Sequence, residues 1–143
     1  MNDQEDSISI LEQIRLEQPT FSHPATKKTP LIEMDYDNGY FLFSGRSIPK
    51  YASGFYYPIL EKIDRYIQEP NESNVVVFFM EYLDSASSRL ILSVIQHFKK
   101  LVQRGLSVSI EWHYLEDDDD IFDTGKTYSE LSGLDFKFVC HYE

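Results

Sequence analysis

The chain has 143 residues, 42% of them hydrophobic and 15% aromatic, with 24 acidic side chains against 13 basic ones and a formal net charge of −11. A single domain of this size buries about 70% of its unfolded surface. The apolar content argues against global disorder, and the negative charge excludes nucleic acid and anionic membrane surfaces as natural partners.

Residues 1–20 are acidic and polar, with Ile8, Leu11 and Ile14 at partial helical spacing, and read as an N-terminal extension, disordered or a short helix. No secretory n-region is present and no apolar run reaches the ~20 residues of a membrane span. The lone Cys140 allows no intramolecular disulfide, so the expected setting is the cytoplasm, without membrane contact. Phe21 to Pro30, with two prolines, suits an edge segment leading into the fold. Leu31 to Tyr36 alternates, Asn38-Gly39 signals a tight hairpin, and Tyr40 to Ser44 is the return strand. Gly45 to Pro49 turns the chain away.

Phe55, Ile59, Leu60, Ile63, Tyr66 and Ile67 form a helical stripe. Pro58 is tolerable only near a first turn, which places this helix between Tyr56 and Glu69. Val75 to Met80 is apolar in both alternation classes and reads as a central strand buried on both faces. Glu81-Tyr82-Leu83 ends it, and Asp84 to Ser88 supplies a cluster of capping residues. Leu90, Ile91, Val94, Ile95, Phe98, Leu101 and Val102 make an amphipathic helix that Gly105 stops. Leu106, Val108, Ile110 and Trp112 then alternate with polar residues as a second strand, parallel to the first and joined right-handedly.

After the acidic run Glu116 to Asp120, a third helix is expected around Asp118 to Leu131, with a break at Gly125 allowed for and an end at Gly133. Phe136, Phe138 and Cys140 mark a final strand, with Cys140 read as a small buried apolar group on it. The order β-β-α-β-α-β-α-β gives an α/β fold with a mixed five-stranded sheet. Polar alternation from Leu106 to His113 further implies that helices cover one face better than the other.

Chemistry-bearing motifs are few. Gly125-Lys126-Thr127 resembles the end of a phosphate-binding loop, but Asp120 stands where that loop needs glycine and no strand leads into it. His23, His97, His113 and His141 have no metal-ligand spacing, and no nucleophile elbow occurs. The acidic run lacks the alternating ligands and the glycine of an EF-hand loop. It reads as a solvated loop or helix start, with a strong local field suited to a basic partner. Two readings of Asp84 to Ser88 stand side by side. One is helix capping. The other is a phosphoacceptor loop, because a hydroxyl at a helix N-terminus takes phosphate into a favourable dipole worth ~0.3–1 kcal/mol.

Five stretches, taken together, resemble the SiaC family of regulatory phosphoproteins. They are Ala25-Thr26-Lys27-Lys28-Thr29-Pro30, Ser44-Gly45-Arg46-Ser47-Ile48-Pro49, Phe55-Tyr56-Tyr57-Pro58-Ile59-Leu60, Glu81 to Arg89, and Trp112-His113-Tyr114 followed by the acidic run and Gly125. The resemblance covers residues 21–143, leaving residues 1–20 outside it. It implies a single domain related to the anti-sigma-factor-antagonist (STAS) fold and a non-enzymatic role in bacterial partner switching, with no cofactor and no metal. A cognate kinase phosphorylates a hydroxyl in the loop after the central strand, and a PP2C-type phosphatase removes the phosphate. The unmodified protein binds and activates a diguanylate cyclase in c-di-GMP signalling, the route to biofilm or aggregation control.

The family loop is usually an aromatic followed by Asn-Thr-Ser-Ser-Ser-Lys. Here Leu83 precedes Asp84-Ser85-Ala86-Ser87-Ser88-Arg89, so Ser85 stands at the phosphoacceptor position, while Asp84 replaces asparagine and Ala86 replaces serine. Asp84, Ser87, Ser88 and Arg89 then frame the surface read by partners, with Arg89 one helical turn on from Ser85. Asp117, Asp118 and Asp119 are a second contact surface. The alternative from another class is a metal-dependent hydrolase built on the carboxylates of Asp117 to Asp120.

Overall fold

The computed structural model describes residues 19–142. Its elements are β1 (Phe21–His23), β2 (Leu31–Asp35), β3 (Tyr40–Ser47), α1 (Ala52–Gln68), β4 (Ser73–Leu83), α2 (Ser85–Gln103), β5 (Ser107–Leu115), α3 (Asp119–Ser132) and β6 (Phe136–His141). The strands form one mixed sheet in chain order, β1-β2-β3-β4-β5-β6. β1, β2 and β3 pair antiparallel, and β3 through β6 run parallel.

This geometry follows from local chemistry. At the β2–β3 hairpin Gly39 takes φ +70°, and a Cβ there would lie 2.7 Å from the Ser73 backbone oxygen. Each later strand is joined to its neighbour by one helix, and right-handed crossovers then place α1, α2 and α3 on the same side. The core confirms the one-sided layering. It takes one alternation class from the strands (Ile32 and Met34, Phe41 and Phe43, Val76, Phe78 and Met80, Ile110 and Trp112) and packs it against Ile63, Phe98 and Tyr128 of the helices. A fully buried side chain of this kind contributes ~1.5–3 kcal/mol.

The sheet has six strands rather than five. Phe21–His23, expected only as an edge segment, pairs with β2 through Phe21↔Met34 and His23↔Ile32. β4 is also longer than its apolar run and is not buried equally on both faces. Val76, Phe78 and Met80 are buried under the helices, while Val75, Val77 and Phe79 on the other face are half-buried.

Helix α1 begins a turn earlier than the Pro58 argument allows. Phe55 N–H closes the first turn on the Tyr51 carbonyl, and the buried Tyr56 anchors the segment before the proline. Helix α3 runs unbroken through Gly125, and Gly133 ends it at φ +73°. The expectation for residues 1–20 falls, up to residue 18, outside the described residues. No described helix is long and apolar enough to cross a membrane.

Candidate functional site

Because β3, β4 and β5 are parallel, Ser47, Leu83 and Leu115 end at one edge of the sheet, where α/β folds gather functional groups. The register of β3 against β4 shifts between Gly45 and Arg46, so that Glu81 is an extra residue on β4. Glu81 and Tyr82 are both exposed there. Arg46 reaches both, 3.8 Å from the Glu81 carboxylate and 5.6 Å from the Tyr82 ring centroid. Tyr51 and Tyr57 add two more exposed aromatics in and just before the first two turns of α1.

Asp84 joins this edge to α2. Its N–H donates to the Ser47 carbonyl at 3.0 Å, its carbonyl accepts from Ser88 N–H at 2.9 Å, and its carboxylate accepts from Ser87 N–H at 2.8 Å. That is the N-cap geometry, and it belongs to Asp84 rather than to any of the serines.

The serines have separate positions. Ser87 is fully buried, and its Oγ accepts from Ser47 Oγ at 2.7 Å. Since the Ser47 proton is spent there, the Tyr56 hydroxyl donates to Ser47 Oγ at 2.5 Å. Burial, opposed by these hydrogen bonds, pushes the Tyr56 phenol up to about 12, so it keeps its proton at neutral pH. Ser88 is half-buried, and its carbonyl accepts from the Tyr128 hydroxyl at 2.7 Å, tying α3 to the first turn of α2. Burial also pushes Tyr128 up to about 12. Ser85 is exposed at the first position of α2, and Arg89, one turn on, is exposed as well. The first turn of α2 holds no acidic residue.

The acidic run leaves the same edge. Asp118 caps α3, accepting from Ile121 N–H at 3.1 Å, while Asp117, Asp119 and Asp120 are exposed. Among the described residues no group of three or more His, Cys, Asp or Glu side chains could hold a metal ion. The hydrolase alternative therefore has no ligand set to build on. Helix α3 is seated by Trp112, whose indole N–H donates to the Ile121 carbonyl at 2.8 Å. A Cβ on Gly125 would lie 2.4 Å from Trp112 Cδ1, so glycine is what lets α3 lie this close.

The fold thus brings Asp84, Ser85, Ser87, Ser88 and Arg89 together on one helix start, and sets Asp117, Asp118 and Asp119 on the neighbouring one. Sequence reasoning missed the buried Tyr56–Ser47–Ser87 relay and the Tyr128 tie. Ser47 and Tyr56 lie within quoted motifs, which was the one available signal. It also missed the contact of His113 with His141, because strand register and not spacing joins them.

A family model described as SiaC family regulatory phosphoprotein matches residues 23–141. An uncharacterized protein of Pseudomonas aeruginosa strain UCBPP-PA14 is 21% identical over 120 residues, covering 84% of this chain and 95% of its own. Among solved structures, a chain in the crystal structure of diguanylate cyclase SiaD in complex with its activator SiaC from Pseudomonas aeruginosa superposes with a TM-score of 0.79 at 20% identity. The match covers 85% of this chain and 99% of that one. SiaC of Pseudomonas aeruginosa gives a TM-score of 0.74 at 20% identity, over 86% of this chain and 98% of that one. At these identities the likeness is one of fold.

Proposed function

This chain belongs to the SiaC family of regulatory phosphoproteins, and from that premise we propose that it is a non-enzymatic phospho-switch in which Ser85 carries the phosphate. A cognate kinase adds the phosphate, a PP2C-type phosphatase removes it, and the unmodified protein binds and activates a diguanylate cyclase in the cytoplasm. In this reading residues 21–143 are the switch domain and residues 1–20 an extension to it. The cyclase enters by analogy with the SiaC chain of similar fold, which is the activator of SiaD.

One observation carries the choice of residue: Ser85 is exposed at the start of α2, while the cap is made by its neighbour Asp84. A hydroxyl engaged in capping is occupied, and a buried one is out of a kinase's reach. Ser87 is buried and Ser88 half-buried, so Ser85 is the exposed hydroxyl of this loop. A phosphate on it adds about −1.5 to −2 charges at the positive end of a helix, with the exposed Arg89 one turn on to pair with it. Asp84, Ser88 and Arg89 frame the surface that partners read, and Asp117, Asp118 and Asp119 extend it along the edge. Ser87, expected to frame it too, is buried beneath it on Ser47.

The test compares two variants for binding to the diguanylate cyclases of the native cell. Ser85→Ala is expected to retain binding, whereas Ser85→Asp weakens it, because a desolvated unpaired charge in an interface costs several kcal/mol. Peptide mass spectrometry on protein from the same cells is expected to place phosphate on Ser85. If Ser85→Asp binds as well as the wild type, or phosphate is recovered only on Ser87 or Ser88, the switch is not at this residue.

A further inference from the structure

On the sheet face away from the helices, Glu111, His113 and His141 form a hydrogen-bonded chain. His113 Nε2 lies 2.9 Å from Glu111 Oε1, and His113 Nδ1 lies 2.7 Å from His141 Nε2. His113 is 4% exposed, and Phe79 of β4 stacks on the His141 ring with centroids 5.0 Å apart. Strand register builds the cluster: Leu115 pairs with His141 and His113 with Val139 across the β5–β6 ladder.

The proton count of this chain is restricted. An ionised carboxylate only accepts, so the contact with Glu111 takes the proton of His113 Nε2. Between the two rings there is room for one proton. Either His141 Nε2–H donates to a bare His113 Nδ1, or a charged His113 donates from Nδ1 to a bare His141 Nε2. Once both imidazoles are charged, each facing nitrogen carries an N–H with no lone pair between them, and a 2.7 Å contact can no longer hold.

We propose that the Glu111–His113–His141 chain is a proton-operated latch on the end of β6, closed while one proton bridges the rings and open when both imidazoles are charged. The inference stands apart from the role given to Ser85. Opening is local. Trp112 against Phe136 and Phe122 against Phe138 hold the rest of β6 from the helix side. The free end is coupled to the acidic run, because the His141 carbonyl accepts from Glu116 N–H at 2.9 Å. A second proton at the latch therefore loosens the loop that presents Asp117 to Asp119.

The direction with pH follows from burial. Burial first, and then the neighbouring His113, hold the His141 imidazole below its ordinary 6.5. The unfolded chain thus takes up this proton more readily than the folded one. The contribution to stability is present above pH 6.5 and is lost as pH falls through the lower folded value. The described charges facing the pair are Glu111 on β5, Glu116 just beyond it, Lys137 opposite Glu111 on β6, and Glu81 on β4, which is paired with Arg46. With Glu111 beside it, the pair carries its first added proton at no net charge, and only the second leaves an uncompensated one.

The test is imidazole nitrogen NMR and backbone amide exchange on the full chain from about pH 8 to about pH 4.5, together with His141→Gln. The expected result is a coupling across the His113 Nδ1–His141 Nε2 hydrogen bond and two separate titration steps. The Glu116 amide loses protection at the second step. His141→Gln, a neutral partner of similar reach, is expected to melt close to the wild type at about pH 8 and to lose less on acidification. The latch is overturned if the rings titrate together without coupling, if Glu116 keeps its protection after both are charged, or if His141→Gln retains the wild-type dependence on pH.

Discussion

Helices α2 and α3 start side by side at one edge of the sheet, each behind an aspartate that accepts an amide of its own first turn, yet they present opposite surfaces. At α3, Asp118 is followed by Asp119 and Asp120, so the positive end of the helix already faces three carboxylates. At α2, Asp84 is followed by Ser85, Ala86 and Ser87, with no acidic residue in the first turn. The contrast separates two tasks that a residue-type argument merges. Capping satisfies one backbone N–H and is done by Asp84 or Asp118 alone. Further charge at the helix end is worth another ~0.3–1 kcal/mol, which α3 has in Asp119 and Asp120 and the first turn of α2 lacks. Under the proposed phosphorylation, a phosphate at Ser85 would make the start of α2 resemble that of α3, which is permanently acidic.

The strongest way to break the comparison is to unseat α3. Gly125→Ala places a methyl 2.4 Å from Cδ1 of the fully buried Trp112, and neither the strand nor the indole can retreat without losing core contacts. Overpacking of this kind costs ~1–3 kcal/mol. The expected outcome is a melting temperature lower by several degrees, with red-shifted Trp112 emission as its N–H parts from the Ile121 carbonyl. Amide protection in the first turn of α2 should persist, because α3 touches it through the Tyr128 hydroxyl on the Ser88 carbonyl, while the Ser88 amide is held by Asp84. A variant that melts like the wild type shows that α3 is not held by this contact.

Removing the caps singly sharpens the comparison at a smaller scale. Asp84→Ala and Asp118→Ala should each cost ~0.5–2 kcal/mol, and the asparagine variants should cost little. The larger loss is expected at Asp84. Its carboxylate bonds at 2.8 Å to the amide of a residue that is itself fully buried, whereas the bond to Asp118 is 3.1 Å. Denaturant unfolding of the four variants measures this ranking. A larger loss at Asp118 reverses it.

Much of this edge was legible beforehand. The apolar run of Val75 to Met80 and the stripe from Leu90 to Val102 specify a strand, a helix and their parallel successor, because periodicity is a local property of the chain. What was not legible depends on a second segment. Asp84 and Ser85 are both acceptable caps by residue type, and the choice is made by the Ser47 carbonyl of β3, which holds the Asp84 N–H. Three residues at Phe21 carry too little pattern to read as a strand, and they become one only through pairing with β2. Pro58 was given its full local weight, which the buried Tyr56 overrides. Gly125 looked like a helix break because nothing in its own neighbourhood reveals Trp112.

The smallest effect is the most discriminating. If Asp84 alone caps α2, then Ser85→Ala removes an exposed hydroxyl from a helical position where alanine is the better helix former. Stability should then stay within ~0.5 kcal/mol of the wild type. A loss as large as that of Asp84→Ala means instead that Ser85 shares the cap, and that its hydroxyl is less available than its exposure implies. Ser85→Asp adds the sign of the electrostatics. The new carboxylate gains from the helix dipole but stands beside the Asp84 carboxylate, and the two terms are of similar size and opposite direction. Its stability should therefore also lie near the wild type and change little with salt, since both terms are screened together. Any weakening of partner binding by this variant then belongs to the interface and not to a damaged helix. A marked destabilisation of Ser85→Asp at low salt, relieved at high salt, means that repulsion from Asp84 dominates. Phosphorylation would then act by unseating the cap, and the start of α2 would change its fold as well as its charge.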